Sequence, residues 1–190
     1  MSQTVTRPPP RTIAPVQQET PPPRRARTPN LSKSLLLMRV VVGLLFMGHA
    51  CQKLLGWFGG EGMAAWIDTL QKAGLQPAPF WASSEAVAEL VSGLLLVLGL
   101  LTPLAAAVLI ADMVVAIVKV HAPKGLWSQQ GGFEYNLVLI VLLVAIGLVG
   151  PGLYALDARL PLRLPRPHTF LVLAALSLIV AAVALISTAA

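Results

Sequence analysis

The sequence predicts an all-α integral membrane protein, and two properties of the chain lead to this class. Hydrophobic residues make up 56% of the 190 residues and charged residues only 12%, about half the charged share of a soluble domain. Long uncharged stretches take the place of the missing charges, and about 20 apolar residues are what a helix needs to cross a bilayer. The basic residues lie in tails and loops beside these stretches, which favours a role in membrane orientation over nucleic-acid binding.

The first 33 residues are rich in proline and arginine and contain no apolar stretch that could form a core. This composition predicts a disordered, basic, cytoplasmic tail. The apolar stretch that follows is too long for a secretory signal peptide and has no small-residue cleavage site. We therefore expect a tail at 1–33, a helical bundle at 34–160, and a loop with a further helix at 161–190.

The apolar stretches of the chain predict five transmembrane helices. One stretch, 82–120, would measure about 58 Å as a single helix, nearly twice a hydrocarbon core of about 30 Å, so it must contain two spans. Pro103 lies inside this segment and marks a tight turn between them. The predicted spans are 34–55, 82–101, 103–120, 133–149 and 169–186.

The distribution of Lys and Arg predicts the orientation of these spans. With the N-terminus inside, ten of the 14 basic residues fall on the inner side and four on the outer side, which agrees with the positive-inside rule. The four outer residues are Lys53, Lys72, Lys119 and Lys124. We expect a multi-pass membrane protein with its N-terminus inside, in the cytoplasm, and its C-terminus outside.

Ionisable side chains are costly in hydrocarbon and mark candidate functional sites. Because the spans alternate in direction, four of them bring polar groups to one level near the outer face. These groups are His49, Gln52 and Lys53 on the first span, Glu85 and Glu89 on the second, Lys119 and His121 on the third, and Glu134 and Asn136 on the fourth.

Glu85 and Glu89 are four residues apart and therefore share one face of their helix. Two carboxylates so close repel each other unless a cation lies between them, and Lys53 and Lys119 are at a suitable depth to supply that charge. Two interpretations stay open: a structural ion-pair cluster that locks the mouth of the bundle, and a pocket that handles protons or binds a ligand.

A second pair of charges is predicted closer to the inner face. Arg39 lies about one turn into the first span and Asp112 about two turns into the third, so their depths differ by only a few ångström. We predict a structural ion pair between them. No metal is expected, because the chain lacks the Glu-x-x-His pairs of carboxylate di-iron bundles.

The segment after the first span predicts an interfacial structure. Residues 62–75 carry apolar side chains at helical spacing and predict a short amphipathic helix lying on the outer leaflet. Loop aromatics such as Trp57 and Trp127 predict an interfacial belt. The single cysteine, Cys51, excludes an intrachain disulfide, a CxxC redox pair and a cysteine zinc site.

From Leu35 to Asp157 the chain resembles the DoxX family of bacterial membrane proteins. The motifs that carry the resemblance are, in order, Arg39, H-x-x-Q-K at 49–53, GWFGG at 56–60, E-x-x-x-E at 85–89, KVHAPKG at 119–125, GGFEY at 131–135 and GPGLYALD at 150–157. Ala50 and Cys51 depart from the family, which often has a glycine next to the histidine. The residues that the resemblance implicates are Arg39, His49, Gln52, Lys53, Glu85, Glu89, Lys119, His121, Glu134 and Tyr135.

The resemblance implies a four-helix transmembrane bundle, to which this chain adds a C-terminal transmembrane helix. A related branch, DoxD, looks like the membrane subunit of a thiosulfate:quinone oxidoreductase, and some DoxX members are thought to hold soluble redox enzymes at the membrane. The implied function is a subunit or anchor of a membrane redox system with a polar, quinone-binding pocket near the outer face.

In this hypothesis Glu85 or Glu89 is the catalytic proton carrier, His49 or His121 donates to a quinone carbonyl, and Lys53 keeps the carboxylates ionised. The chain has no haem, flavin or iron–sulfur motif, so electrons would come from a soluble oxidoreductase partner. The alternative is a non-enzymatic scaffold or anchor whose charged layer is structural. A small-solute permease is less favoured, because no inverted repeat is evident.

Overall fold

The computed structural model describes residues 29–160 and 168–187, and these residues form helices joined by turns. The six α-helices are α1 (Pro29–Leu55), α2 (Gly62–Lys72), α3 (Ala78–Leu98), α4 (Thr102–Ala116), α5 (Glu134–Val149) and α6 (His168–Ser187). A π-helical turn, Ile117–His121, continues α4 toward the next loop.

Four helical stretches are long and apolar enough to cross a membrane: α1, α3, α6, and α4 with its continuation to Lys124. The chain is therefore an all-α, multi-pass membrane protein, as predicted. Helix α5 is equally apolar but has 16 residues, about 24 Å at 1.5 Å per residue. That is shorter than a hydrocarbon core of about 30 Å, and the expected crossing by α5 stays a prediction.

The helix boundaries differ from the predicted spans at two places. Helix α1 begins at Pro29, inside the segment assigned to the tail, because proline is favoured in the first turn of a helix. The rest of the predicted tail, 1–28, lies outside the described residues. Helix α3 begins at Ala78 and ends at Leu98, where Gly99 adopts a left-handed conformation with φ of 67°. The turn before α4 therefore has three residues, 99–101, where the predicted spans left one.

The four helices of the DoxX-like region form a closed bundle. Each packs on two others, in the order α1–α3, α3–α4, α4–α5 and α5–α1. Its core contains Phe46, Leu96, Leu109 and Leu143, all fully buried. Helices α1 and α3 approach closely where two glycines meet: a Cβ added to Gly43 would lie 2.6 Å from the carbonyl oxygen of Gly93. Small residues permit such backbone contact between membrane helices.

Helices α2 and α6 pack on the outside of this bundle. Helix α6 lies against α4, and its Phe170 fills the space over Gly147 of α5. The apolar face of α2 packs on Ala78 and Ala82 of α3. The predicted short helix is thus present, and its apolar side chains cover a neighbouring helix. Its position on the outer leaflet stays a prediction.

The two ends of the bundle can be named from α1. We call the end at which α1 begins the near end and the end at which it stops the far end. Helices α4 and α6 run in the same direction as α1, whereas α3 runs from the far end to the near end. Lys53 on α1 therefore meets the first half of α3, and Arg39 meets the turn after α3.

Candidate functional site

Four ionisable side chains from three helices converge inside the far half of the bundle, and we call them the charge cluster: Lys53, Glu85, Glu89 and Asp112. The Lys53 ammonium donates to Glu85 Oε1 at 2.8 Å and to Glu89 Oε2 at 2.9 Å. The side chain of Glu89 is 2% exposed and that of Lys53 16%. The expected cation between the two glutamates is therefore Lys53.

Helix α2 supplies a fifth member of this arrangement. The Trp66 indole Nε1 donates to Glu85 Oε2 at 3.0 Å, so both oxygens of this carboxyl group are held by donors. The Lys53 Nζ atom also lies 4.4 Å from the centroid of the Trp66 ring, a distance suited to a cation–π contact. Because α2 packs on α3, Trp66 closes the cluster from the far end.

Asp112 brings a third carboxyl group into the cluster. One oxygen from each of Glu85, Glu89 and Asp112 lies within 4.8 Å of the others. Among the described residues, Asp112 Oδ2 is buried without a hydrogen-bond partner. The cluster thus contains three carboxyl groups and one ammonium group, which contacts two of them. An unbalanced charge is costly in the hydrocarbon core of a membrane. Such a cluster must take up protons or a further cation.

Carboxylate oxygens are also the usual ligands of hard cations. The oxygens of Glu85, Glu89 and Asp112 have this donor chemistry and are close enough to share one ion. However, Lys53 already stands within hydrogen-bond distance of both glutamates, so an ion would have to displace its ammonium.

The depth of the cluster follows from helix geometry. Glu89 and Asp112 lie roughly 14–15 Å along α3 and α4 from the near ends of these helices, at 1.5 Å per residue. With a hydrocarbon core of about 30 Å, these two carboxyl groups are close to the middle of the membrane. Glu89 thus lies deeper than the predicted level, whereas Lys53 and Glu85 lie closer to the far end; that this end faces outward stays a prediction.

A cavity of about 300 Å³ adjoins the charge cluster. Glu85 and Asp112 form its charged side, and the remaining wall is apolar apart from Ser84 and Ser177, with Val108, Ala111 and Val115 contributed by α4. Helix α2 and its following turn contribute Leu70 and Leu75, and α6 contributes Ser177, Val180, Ala181 and Ala184. Glu89 lies behind this wall.

The cavity occupies a cleft over α4, between α3 and α6, which both pack on α4. Two lining residues at its rim, Ser84 on α3 and Val180 on α6, are exposed on the outer surface of the bundle. In a bilayer this surface faces lipid. The cleft therefore offers a lateral route by which a lipid-soluble molecule could reach Glu85 and Asp112.

The predicted Arg39–Asp112 ion pair is wrong. Arg39 is fully buried and donates from Nη2 to the carbonyl oxygen of Tyr154 at 3.1 Å, whereas Asp112 belongs to the charge cluster. The prediction compared only the depths of the two residues along their helices, and not the directions in which their side chains point around the helix axes.

Asp157 lies at the near end of the bundle. Its carboxyl oxygens accept from the backbone N–H groups of Leu101 and Thr102 at 2.8 and 2.9 Å, at the start of α4.

The other predicted pocket residues lie outside the cavity wall. His49 Nδ1 and Gln52 Oε1 are 3.1 Å apart, and the His49 ring meets that of Tyr135 edge to face at 6.0 Å. His121 Nδ1 lies 2.7 Å from the carbonyl oxygen of Gly131. These contacts hold the far-end loops together.

Glu134 and Lys119 also lie at the far end of the bundle. The Glu134 carboxylate accepts from the backbone N–H and the hydroxyl of Ser128 at 3.1 and 2.9 Å, and so stabilises the loop before α5. Lys119 lies half-buried in the π-helical turn after α4. Of the predicted polar residues, the structure thus brings Lys53, Glu85 and Glu89 together and leaves the histidines and Glu134 in separate contacts.

Sequence reasoning missed two parts of this site. Trp66 was assigned only to an amphipathic surface, although its helical spacing with Ile67 and Leu70 placed it on the packed face of α2. The contribution of α6 was also missed, since Ser177, Ala181 and Ala184 carry no charge and resemble other membrane-helix residues. Only the packing of α6 on α4 reveals that they line a cavity.

The fold and the site define a multi-pass helical membrane protein with a buried charge cluster beside an apolar cavity. The sequence model of the family described as DoxX matches residues 34–122. The chain is 32% identical over 145 residues to the "Uncharacterized membrane protein Rv3486" of Mycobacterium tuberculosis (strain ATCC 25618 / H37Rv), covering 68% of this chain and 83% of that protein. The chain belongs to the DoxX family.

A second relative carries a functional name. The chain is 30% identical over 124 residues to the "Putative oxidoreductase CatD" of Bacillus subtilis (strain 168), covering 64% of this chain and 83% of that protein. Comparison with solved structures gives no significant match. The resemblance drawn from the sequence motifs is thereby confirmed at the level of the family.

Proposed function

We propose that the protein is a membrane subunit of a redox system that binds a quinone in the cavity between α3 and α6. One observation carries this proposal: Glu85 and Asp112 form the polar side of an otherwise apolar cavity whose rim reaches the lipid-facing surface. A quinone has the matching chemistry, an apolar ring with two carbonyl oxygens and an apolar tail that dissolves in the bilayer.

The size of the cavity suits the ring alone. A volume of about 300 Å³ is at the lower end of the range of roughly 300–1,000 Å³ for small-molecule sites. The ring would pack against Val108 and Val115, with one carbonyl oxygen toward Glu85 or Asp112. The tail would leave through the cleft past Val180 into the lipid.

The proton balance of quinone reduction explains the excess of carboxyl groups. Reduction of a quinone to a quinol takes up two electrons and two protons. Glu85 and Asp112 border the cavity and can transfer protons to the carbonyl oxygens, while Glu89 can replenish Asp112 from behind. Lys53 and Trp66 keep Glu85 in place. In this proposal Glu85 keeps the catalytic role predicted from the sequence, and Glu89 becomes a proton relay.

The electrons must come from another protein, because the chain has no recognisable motif for haem, flavin or an iron–sulfur cluster. We propose a soluble oxidoreductase as this partner, and the printed name of the Bacillus subtilis relative supports a redox role.

We also propose that the protein lies in the bacterial plasma (inner) membrane, as its resemblance to the DoxX family implies. The proposed orientation, with the N-terminus in the cytoplasm and the C-terminus outside, rests on the Lys and Arg distribution. In this orientation the far end faces outward. A cysteine introduced at Lys72, in a Cys51→Ala background, should then react with a membrane-impermeant maleimide added to intact cells.

A second candidate function rests on the ion pairs of Lys53. Because this residue joins α1 to two positions of α3, the cluster could serve only to lock the bundle of a scaffold that anchors partner proteins. A scaffold needs neither an apolar cavity nor the buried, unpartnered oxygen of Asp112, so the ligand site accounts for more of the structure.

Substitution of the cavity carboxyl groups separates the two functions. A quinone carbonyl oxygen only accepts hydrogen bonds, so Glu85 or Asp112 would contact it as a protonated carboxyl group that donates its O–H. We expect Glu85→Ala and Asp112→Ala, which remove this donor, each to weaken binding of a decyl-tailed benzoquinone about two- to tenfold, since such a hydrogen bond contributes about 0.5–1.5 kcal/mol. Binding would be measured by quenching of tryptophan fluorescence in lipid nanodiscs. Glu134→Ala is the matched control, because its carboxylate contacts Ser128 outside the cavity.

The contrary results are equally specific. If Glu85→Ala and Asp112→Ala remain folded and bind the quinone as tightly as the Glu134→Ala control, the carboxyl groups do not contact the ligand. If the unchanged protein shows no saturable binding, the scaffold function is favoured.

A further inference from the structure

We propose that α6 sets the size of the ring that the cavity accepts, with Ala181 and Ala184 as the specificity-determining residues. This inference rests on the proposed quinone site and adds a function for the helix that follows the matched DoxX region. The family match ends at residue 122, whereas α6 begins at His168.

The pattern of exposure along α6 points to these two residues. Most of the helix faces outward, and Val183 is 59% exposed. Ala181 and Ala184, by contrast, are only 5% and 3% exposed and both line the cavity. Their spacing of three residues places them on one face of the helix, directed at the cleft over α4.

The position of this face is fixed by contacts elsewhere on the helix. Phe170 is buried in the core of the bundle and lies over Gly147 of α5, where a Cβ would come within 2.2 Å of its ring. Leu173 and Ala174 also pack against the core. The near half of α6 thus acts as an anchor, and the far half stands as a fixed wall opposite Glu85.

The methyl side chains of this wall determine how much space remains for a ligand. A larger side chain at position 181 or 184 would project into the cavity, because the packed helix cannot retreat without losing its contacts with α4 and α5. The opposite wall carries the polar groups that would hold the ring. The small residues of α6 therefore decide whether one ring or two fit beside Glu85.

The chain offers a matched control for this inference. Ala182 adjoins Ala181 but is exposed on the opposite, lipid-facing side of α6. Substitutions at 181 and 182 therefore make the same chemical change in the same helix, and differ only in whether the added atoms enter the cavity.

The test uses the full chain in nanodiscs and two probes, a decyl-tailed benzoquinone with one ring and a naphthoquinone with two. Ala181→Phe should weaken binding of both probes at least about tenfold, whereas Ala182→Phe should change neither by more than about twofold. The milder Ala181→Val should weaken the two-ring probe several-fold more than the one-ring probe. If Ala181→Phe does not fold, as judged by size-exclusion chromatography and thermal unfolding, the variant Ala181→Val still tests the inference.

The outcomes distinguish this inference from the function on which it rests. If the unchanged protein binds a quinone and Glu85→Ala weakens binding, but the variants at 181 and 182 behave alike, α6 does not set the size of the ring and the quinone site stands. If the unchanged protein binds neither probe, both the proposed role of α6 and the proposed quinone site are overturned.

Discussion

Replacing Lys53 with methionine is expected to destabilise the protein more than any other single change in the charge cluster. The substitution keeps the length of the side chain but leaves Glu85 and Glu89 without their shared ammonium. Removal of one partner from a buried ion pair costs about 3–5 kcal/mol in the free energy of unfolding. We expect Lys53→Met to unfold at a much lower temperature, or not to yield folded protein at all.

Lys72 provides the control for this prediction. It pairs with Asp68 four residues away, but the two side chains are 75% and 59% exposed. An exposed pair of this kind contributes little to stability, because water and salt screen the two charges, so Lys72→Met should leave the unfolding temperature almost unchanged. The double variant Lys53→Met Glu89→Gln should recover part of the lost stability, since it removes a carboxylate that the first change left unpaired.

Thermal unfolding of the purified protein, followed by tryptophan fluorescence, would measure these differences. Equal unfolding temperatures for Lys53→Met and Lys72→Met would show that the cluster contributes nothing to stability. The ion pairs of Lys53 with Glu85 and Glu89 would then be absent from the protein.

Alanine at position 99 is expected to disrupt the near end of the bundle. Gly99 has a φ of 67°, and a Cβ there would lie 1.6 Å from Arg39 Nη1 and 2.6 Å from the Cβ of Ala155. Arg39 is fully buried and cannot move aside without breaking its contact with Tyr154. The left-handed conformation and the overpacking together predict a loss of about 2–5 kcal/mol for Gly99→Ala.

Gly74 separates the two contributions to this loss. Its φ of 80° is as unfavourable for alanine as that of Gly99, but an added Cβ meets no atom within 4 Å. Gly74→Ala should therefore cost only the backbone term, about 1–2 kcal/mol. Chemical or thermal unfolding of both variants gives the comparison, and equal losses would mean that Arg39 does not occupy the space beside Gly99.

The helices could be predicted from the sequence because long apolar stretches are a strong local signal. Lys53, Glu85 and Glu89 could be predicted as site residues because ionisable side chains stand out in such stretches. Glu85 and Glu89 share a helix face by spacing alone. The reversal of direction between α1 and α3 then places Lys53 at the depth of Glu85.

The partner of Asp112 could not be predicted in the same way. Depth along a helix follows from residue number, but the direction of a side chain around the helix axis changes by about 100° per residue. A comparison of depths therefore paired Asp112 with Arg39, while packing turns Asp112 toward Glu89 and directs Arg39 to the Tyr154 carbonyl. The cavity was equally hidden, because it depends on the gap that α2, α3 and α6 leave over α4.

The central claim is that this cavity holds a quinone ring beside Glu85 and Asp112. Photo-crosslinking with an azido-quinone, followed by peptide mapping, tests it most directly. We predict saturable labelling within residues 81–88 or 177–184, suppressed by excess unlabelled quinone and reduced in Asp112→Ala. Labelling spread over outward-facing residues such as Val172 and Ile186, and unaffected by competing quinone, would contradict the claim.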